Sequence, residues 1–264
     1  VKQRYRYDGG TAYRGWVGVG RQSNAGAYGV ATAPDVKETF AFGNPDDELA
    51  AAQPQWFAPN VYPDEVAGFR AAVETFSRAC SGLVDELLVL LAVALRLEPD
   101  TLVSKCRTPI SSGNFNWYPP RDALASAPAP DQFRIGPHYD YGTLTVLDRE
   151  PGLGGLQVRV ADEWVTAPWV PGALTINTGL LMGRWSNDRW SPNEHRVLPP
   201  PADDPAEELI SLVFFHDPDH DAVIRPLDGC VDDTHPPRYE PVVAGEHLAT
   251  MLSSLSVADD AVPG

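Results

Sequence analysis

The chain has 264 residues, 43% of them hydrophobic, and carries a formal net charge of −16. That length and apolar fraction suit one large domain over residues 1–264, and no apolar run approaches the length of a membrane span. Such an excess of acid repels nucleic-acid phosphates and anionic lipid, so neither is an expected partner.

The start, Val1-Lys-Gln-Arg4, has a basic flank with no apolar stretch behind it, so no secretory signal is read. Cys80, Cys106 and Cys230 are odd in number and lack motif spacing. They fit a reducing compartment, and the cytoplasm is the expected location.

Residues 1–60 are rich in Gly, Ala, Pro and aromatics, with little periodicity beyond a short helix expected near 35–40. We expect an irregular N-terminal segment that packs against the rest and shapes a mouth. Tyr62-Pro63-Asp64-Glu65 has the proline and acids of a first helical turn. Apolar residues then recur at intervals of three and four, including Val66, Phe69, Val73, Phe76, Cys80, Leu87 and Leu90. This pattern predicts a buttress helix over 63–98.

From 105 to 230 the texture changes to short β-rich runs, at 115–118, 143–148, 155–160, 163–167, 173–177, 195–198, 209–216 and 222–227. Gly, Pro, Asn and Asp turns separate them, which predicts a sandwich or barrel core. The acidic run at 203–208 reads as a solvated hairpin loop. Residues 231–264 form a C-terminal segment with a helix around 246–255 and an Ala/Asp/Gly end expected to fray.

Within the β-rich region, His138 and Asp140 stand two residues apart. In an extended chain such residues face the same way, roughly 6.6 Å apart at the backbone. One imidazole and one carboxylate on a common face are two thirds of a metal site, and His195, in Asn193-Glu-His195-Arg-Val, is the best candidate for the third ligand. Two His and one carboxylate that leave three adjacent positions open form the facial triad of non-haem Fe(II) oxygenases. A rival cluster, His216-Asp-Pro-Asp-His220-Asp221, is read as a strand-end loop with solvated acids, because Pro218 argues against a helix that would align the two histidines.

Several segments occur in order: Phe133-Arg-Ile-Gly-Pro-His-Tyr-Asp-Tyr-Gly-Thr-Leu-Thr-Val-Leu147, Gly154-Gly-Leu-Gln-Val158, Pro171-Gly-Ala-Leu174, Asn177-Thr-Gly179, Arg184-Trp-Ser-Asn-Asp-Arg-Trp190, His195-Arg-Val197 and Ser211-Leu-Val-Phe-Phe215. As a set they resemble the isopenicillin N synthase-like branch of the iron/2-oxoglutarate-dependent dioxygenases. The resemblance implies a mainly β fold with flanking helices, a double-stranded β-helix (jelly-roll) with the triad His138, Asp140 and His195 at one mouth. It implies Fe(II), 2-oxoglutarate and O2 as cofactors, and a small-molecule substrate from natural-product metabolism. Hydroxylation of an unactivated C–H is the expected reaction, with desaturation and cyclisation as variants; with Asp140 present no ligand position is left for a halide.

The same resemblance implies that Asn116 and Tyr118 touch cosubstrate or substrate, that Ser211 hydrogen-bonds the distal carboxylate of 2-oxoglutarate, and that Phe215 lines the pocket. Three departures stand beside it. The family's Arg-x-Ser pair reads Leu209-Ile-Ser211 here, so the arginine that meets that carboxylate is missing. Burying a carboxylate without a cation costs several kcal/mol, and Arg134, Arg184, Arg225 and Lys105 are the candidate substitutes. The family often has Asp where this chain has Leu180. The numbering also starts past the opening strands and helix of the family, which leaves open a start within a longer protein or segments left out of the chain. Two other readings stay open: an Fe(II) oxidase that needs no 2-oxoglutarate, like isopenicillin N synthase itself, and a non-catalytic jelly-roll binding protein.

Overall fold

Alternating inward and outward side chains build most of this molecule. The computed structural model describes residues 1–7, 13–29, 32–124, 129, 132–200 and 206–255. Its strands are β1 Gly15–Val17, β2 Glu38–Gly43, β3 Ser112–Tyr118, β4 Ile135–His138, β5 Leu144–Arg149, β6 Leu156–Val160, β7 Glu163–Thr166, β8 Thr175–Thr178, β9 His195–Val197, β10 Leu209–His216, β11 Val223–Ile224 and β12 Val242–Val243. The α-helices are α1 Asp47–Ala52, α2 Phe69–Ala94, α3 Leu180–Trp185 and α4 Ala244–Leu252.

The strands form a six-stranded sheet in the order β1-β2-β3-β10-β5-β8, a four-stranded sheet in the order β4-β9-β6-β7, and the small ribbon β11-β12. All pairings are antiparallel. The chain crosses repeatedly between the two larger sheets, as a double-stranded β-helix requires. Along β10, Leu209, Ser211 and Val213 are buried on the inner face, while Phe214 belongs to the core on the outer one.

That outer face is covered by α2, whose buried stripe is Val73, Ser77, Cys80, Val84, Leu88 and Ala92, at steps of three and four. Cys80, Val84, Leu88 and Ala92 meet Leu144, Val146 and Phe214 of the sheet and Leu181, Met182 and Trp185 of α3. A second cluster, Tyr118, Ile135, Leu156, Val197 and Leu209, fills the closed end between the sheets. Cys80, Cys106 and Cys230 are all buried free thiols.

The structure corrects four expectations. Residues near 35–40 form no helix: β2 runs there, and pairs with β3 inside the large sheet. The turn at Pro63–Glu65 stands apart from α2, because Gly68, left-handed at φ 79°, breaks the run before the helix starts at Phe69. Leu90 lies on the solvent side of α2, 63% exposed. Glu207 is not solvated; it pairs with Arg134 and accepts from the Gly154 N–H. The remainder of the acidic run at 203–205 and the C-terminal end at 256–264 lie outside the described residues. Among the described residues no helix is long and apolar enough to cross a membrane.

Candidate metal centre

His138 ends β4 and His195 begins β9, and the two are direct cross-strand partners. Neighbours of that kind hold their side chains close together, and the ring centroids lie 4.2 Å apart. Asp140 follows two residues after His138, where the chain leaves the small sheet for β5 of the large one. Its Oδ1 lies 3.8 Å from Nε2 of each histidine. One ligand atom from each residue falls within 4.8 Å of the others, the one such group among the described residues.

Hydrogen bonds decide which atoms face inward. His138 Nδ1 lies 2.8 Å from the Gly136 carbonyl and His195 Nδ1 lies 3.0 Å from the Asn193 carbonyl. A carbonyl only accepts, so both Nδ1 atoms carry the proton and both Nε2 lone pairs point at the shared space. Asp140 Oδ2 accepts from Thr145 Oγ1 and from Asn177 Nδ2, each at 2.6 Å, which turns Oδ1 towards the histidines. The turn behind it is clamped as well: Leu180 N–H donates to the Asp140 carbonyl at 2.8 Å. Position 180 makes this bond through its backbone, whatever its side chain. Gly179 is needed here, since a Cβ would stand 2.4 Å from the Gly142 carbonyl oxygen.

Charge follows from burial. His138 is held well below the ordinary imidazole range by desolvation, with His195 adding to the effect. Burial alone would raise Asp140, but His195, His138, Thr145 and Asn177 outweigh it and keep the carboxylate ionised. Two imidazoles and one carboxylate, with no thiolate among them, fit a ferrous ion by donor type, number and convergence.

Two connected chambers open from this point. Asn24, Lys37, Asn114, His138, Asp140 and Phe215 border both. The inner one runs past Asn116 and Tyr118 towards Leu147, Leu156 and Val197. The outer one is walled by Tyr13, Arg14, Trp56, Tyr139, Tyr141 and Asp217, the first three of them from the N-terminal 60 residues. Asn116, Tyr118 and Ser211 lie together: Ser211 Oγ is 3.3 Å from Tyr118 OH and 3.5 Å from Asn116 Nδ2. Burial pushes the Tyr118 phenol up to about 12, so it stays a donor at neutral pH.

The candidate cations fare differently. Arg184 donates to the Glu240 carbonyl outside both chambers, Arg225 pairs with Asp228 at the surface, and Lys105 is exposed. Arg134 is buried beside the Tyr118 ring, yet its guanidinium is tied to Glu207 and does not border either chamber. The rival histidines diverge. His216 is fully buried against Thr143, whereas His220 stacks on Trp56 at 5.2 Å. Asp217, expected in solvent, is buried.

Residue-by-residue reading missed Lys37, Thr145 and Asp217. Lys37 stands just before β2 and continues the alternation of Thr39 and Ala41, all three being buried.

Comparison with known proteins agrees with this geometry. The model of the 2OG-Fe(II) oxygenase superfamily matches residues 110–218, which span the triad. Validamycin A dioxygenase of Streptomyces hygroscopicus subsp. limoneus is 36% identical over 218 residues, 81% of this chain; the chain spans only 59% of that relative's length. A 2-oxoglutarate-dependent dioxygenase of Dothideomycetidae sp. (strain 11243) is 32% identical over 90% of this chain and 73% of its own. A full-length Neurospora crassa protein, crystallised in complex with alpha-KG, superposes with a TM-score of 0.80 at 27% identity, covering 96% of this chain and 76% of that one. With sequence, fold and donor set in agreement, the chain belongs to the 2OG-Fe(II) oxygenase superfamily.

Proposed function

We propose that this chain is an Fe(II)- and 2-oxoglutarate-dependent dioxygenase that hydroxylates an unactivated C–H bond of a small molecule. The observation that carries the reading is the convergence of His138 Nε2, His195 Nε2 and Asp140 Oδ1, with every opposite polar atom already occupied. When bound, the metal and its oxoacid supply oxidising power, dioxygen being reduced as 2-oxoglutarate loses CO2 to become succinate and one oxygen atom passes to substrate.

The protein's own part is placement and exclusion of water. His138, Asp140 and His195 would hold the ion through Nε2, Oδ1 and Nε2. Asn116 and Tyr118 offer hydrogen bonds to the oxoacid from the inner chamber, and Ser211 holds the two of them from behind. Phe215, at the junction of the chambers, sets an apolar wall between oxoacid and substrate. The substrate enters through the outer chamber, whose aromatic wall suits a small organic molecule. We place the reaction in natural-product metabolism on the family resemblance of the ordered sequence segments, and in the cytoplasm on the buried free thiols.

Leu209 keeps one rival alive, an Fe(II) oxidase that draws all its electrons from substrate. Candidate substrates incubated with Fe(II), 2-oxoglutarate and O2 should yield succinate and a product sixteen mass units heavier, in equal amounts. Product formed without succinate would refute the dioxygenase reading in favour of the oxidase.

A further inference from the structure

The inner chamber's described lining contains one lysine or arginine, Lys37. Its side chain is 5% exposed and reaches inward from the residue just before β2. Lys37 Nζ donates to Gln22 Oε1 at 2.7 Å and to Thr39 Oγ1 at 2.9 Å, both neutral acceptors. An ammonium has three donors, so one N–H is left on a group that borders the metal cavity. Asp35, two residues earlier, does not take it: its oxygens accept from Gly136 N–H and from the Asn24 backbone and side chain.

Thr39 passes the contact on. Its hydroxyl donates to Asn116 Oδ1 at 2.8 Å, and Asn116 leads through Ser211 to Tyr118. Lys37, Thr39, Asn116, Ser211 and Tyr118 thus form one continuous buried polar wall, each no more than 5% exposed. The wall ends in a cation hydrogen-bonded to no anion. The Asp35 carboxylate acts on this ammonium through space but accepts no hydrogen bond from it, so the remaining N–H is left for an anionic ligand to complete.

Arg134, the other buried cation near Tyr118, is already neutralised: its Nη atoms go to Glu207 Oε2 at 2.9 Å and to the Glu207 carbonyl at 2.8 Å. Arg14 borders only the outer chamber, away from Asn116 and Tyr118, and its Nε and Nη1 donate to the Ala58 and Tyr13 carbonyls.

We propose that Lys37 is the cation that receives the distal carboxylate of 2-oxoglutarate, so that β2 supplies the positive charge missing from position 209 of β10. This rests on the 2-oxoglutarate reading above. The test compares two oxoacids with the same chelating end: 2-oxoglutarate and 2-oxopentanoate, which has a methyl group in place of the distal carboxylate. Each is titrated anaerobically into the Fe(II)-loaded protein, and the visible metal-to-ligand charge-transfer band reports binding without turnover.

Wild type should prefer 2-oxoglutarate by about thirtyfold or more, the scale of a buried charge-assisted contact. Lys37→Met should bring the two affinities within about threefold while leaving 2-oxopentanoate binding unchanged, which also certifies an intact metal site. Lys37→Gln serves as a second neutral variant, and Lys37→Arg should retain most of the preference. A Lys37→Met or Lys37→Gln protein that keeps the full preference overturns the assignment, and loss of preference in Arg134→Met would move the cation there. If wild type gives a band with 2-oxopentanoate but no preference, Lys37 is not the contact. If it gives none with either oxoacid, the 2-oxoglutarate reading itself fails.

Discussion

At the scale of single residues, the metal centre depends on side chains that never reach the metal position. Asp140 has two oxygens, and a carboxylate free to rotate would present either, or neither, to an ion. Thr145 on β5 and Asn177 on β8 remove that freedom by holding Oδ2. They come from adjacent strands of the large sheet, where Thr145 pairs with Asn177 in register. Losing one such support typically costs tenfold to a hundredfold in metal affinity. Thr145→Val and Asn177→Ala should therefore each weaken Fe(II) binding by roughly ten- to a hundredfold in an anaerobic titration. Both substitutions leave all three candidate ligands in place. A change of less than threefold in either would mean that Asp140 is oriented by its backbone alone.

At the scale of elements, the small sheet carries the histidines, the large sheet carries the side chains that hold the carboxylate, and both border the inner chamber. The large sheet must therefore be stiff, and α2 is what stiffens it. Leu88, fully buried under β5 and β10, should cost about 2–5 kcal/mol when changed to Ala, whereas Leu90→Ala on the same helix should stay within about 0.5 kcal/mol. Urea midpoints of the two variants at constant slope check the contrast. Equal losses would show that the packed stripe has been misplaced. This helix also shows where reading from sequence stops. The three-and-four spacing announced a long amphipathic helix, but Leu87, Leu88, Leu90 and Leu91 crowd the register, and only the sheet beneath decides which of them is buried. The alternation that marked the strand at β10 was equally legible, because eight residues give it four repeats. In β2 the inward set is three residues long, and a lysine at its head does not look like a core position. The ligand triad was legible because its chemistry is local to two short motifs. The groups that orient it were not, since pairing across strands, such as Thr145 with Asn177, leaves no trace in chain order.

At the scale of the whole molecule, the net charge of −16 is borne mostly on the surface, but the centre holds ionisable groups of its own. Asp35, Lys37, Asp140, His216 and Asp217 are all buried. The Asp217 carboxyl is poorly partnered, since its Oδ1 is buried with no hydrogen bond. Burial, helped by the nearby Asp140 charge, pushes the Asp217 carboxyl from 3.8 up to about 8. The consequence for stability has a definite sign. In the unfolded chain Asp217 loses its proton near pH 4, in the folded chain near pH 8. Between those limits the folded state binds the extra proton, so stability falls as pH rises. At about 1.4 kcal/mol per pH unit, the loss reaches on the order of several kcal/mol by pH 8 and is slight below about pH 4. Asp217→Asn removes the ionisable group while keeping its shape. In metal-free protein, the variant's gain in melting temperature over wild type should grow by several degrees or more between pH 5 and pH 8. His216, which burial holds neutral down to about 4, destabilises both proteins alike on the acid side and cancels in the difference. A gain that does not change with pH would mean that Asp217 titrates normally and is solvated or paired in solution.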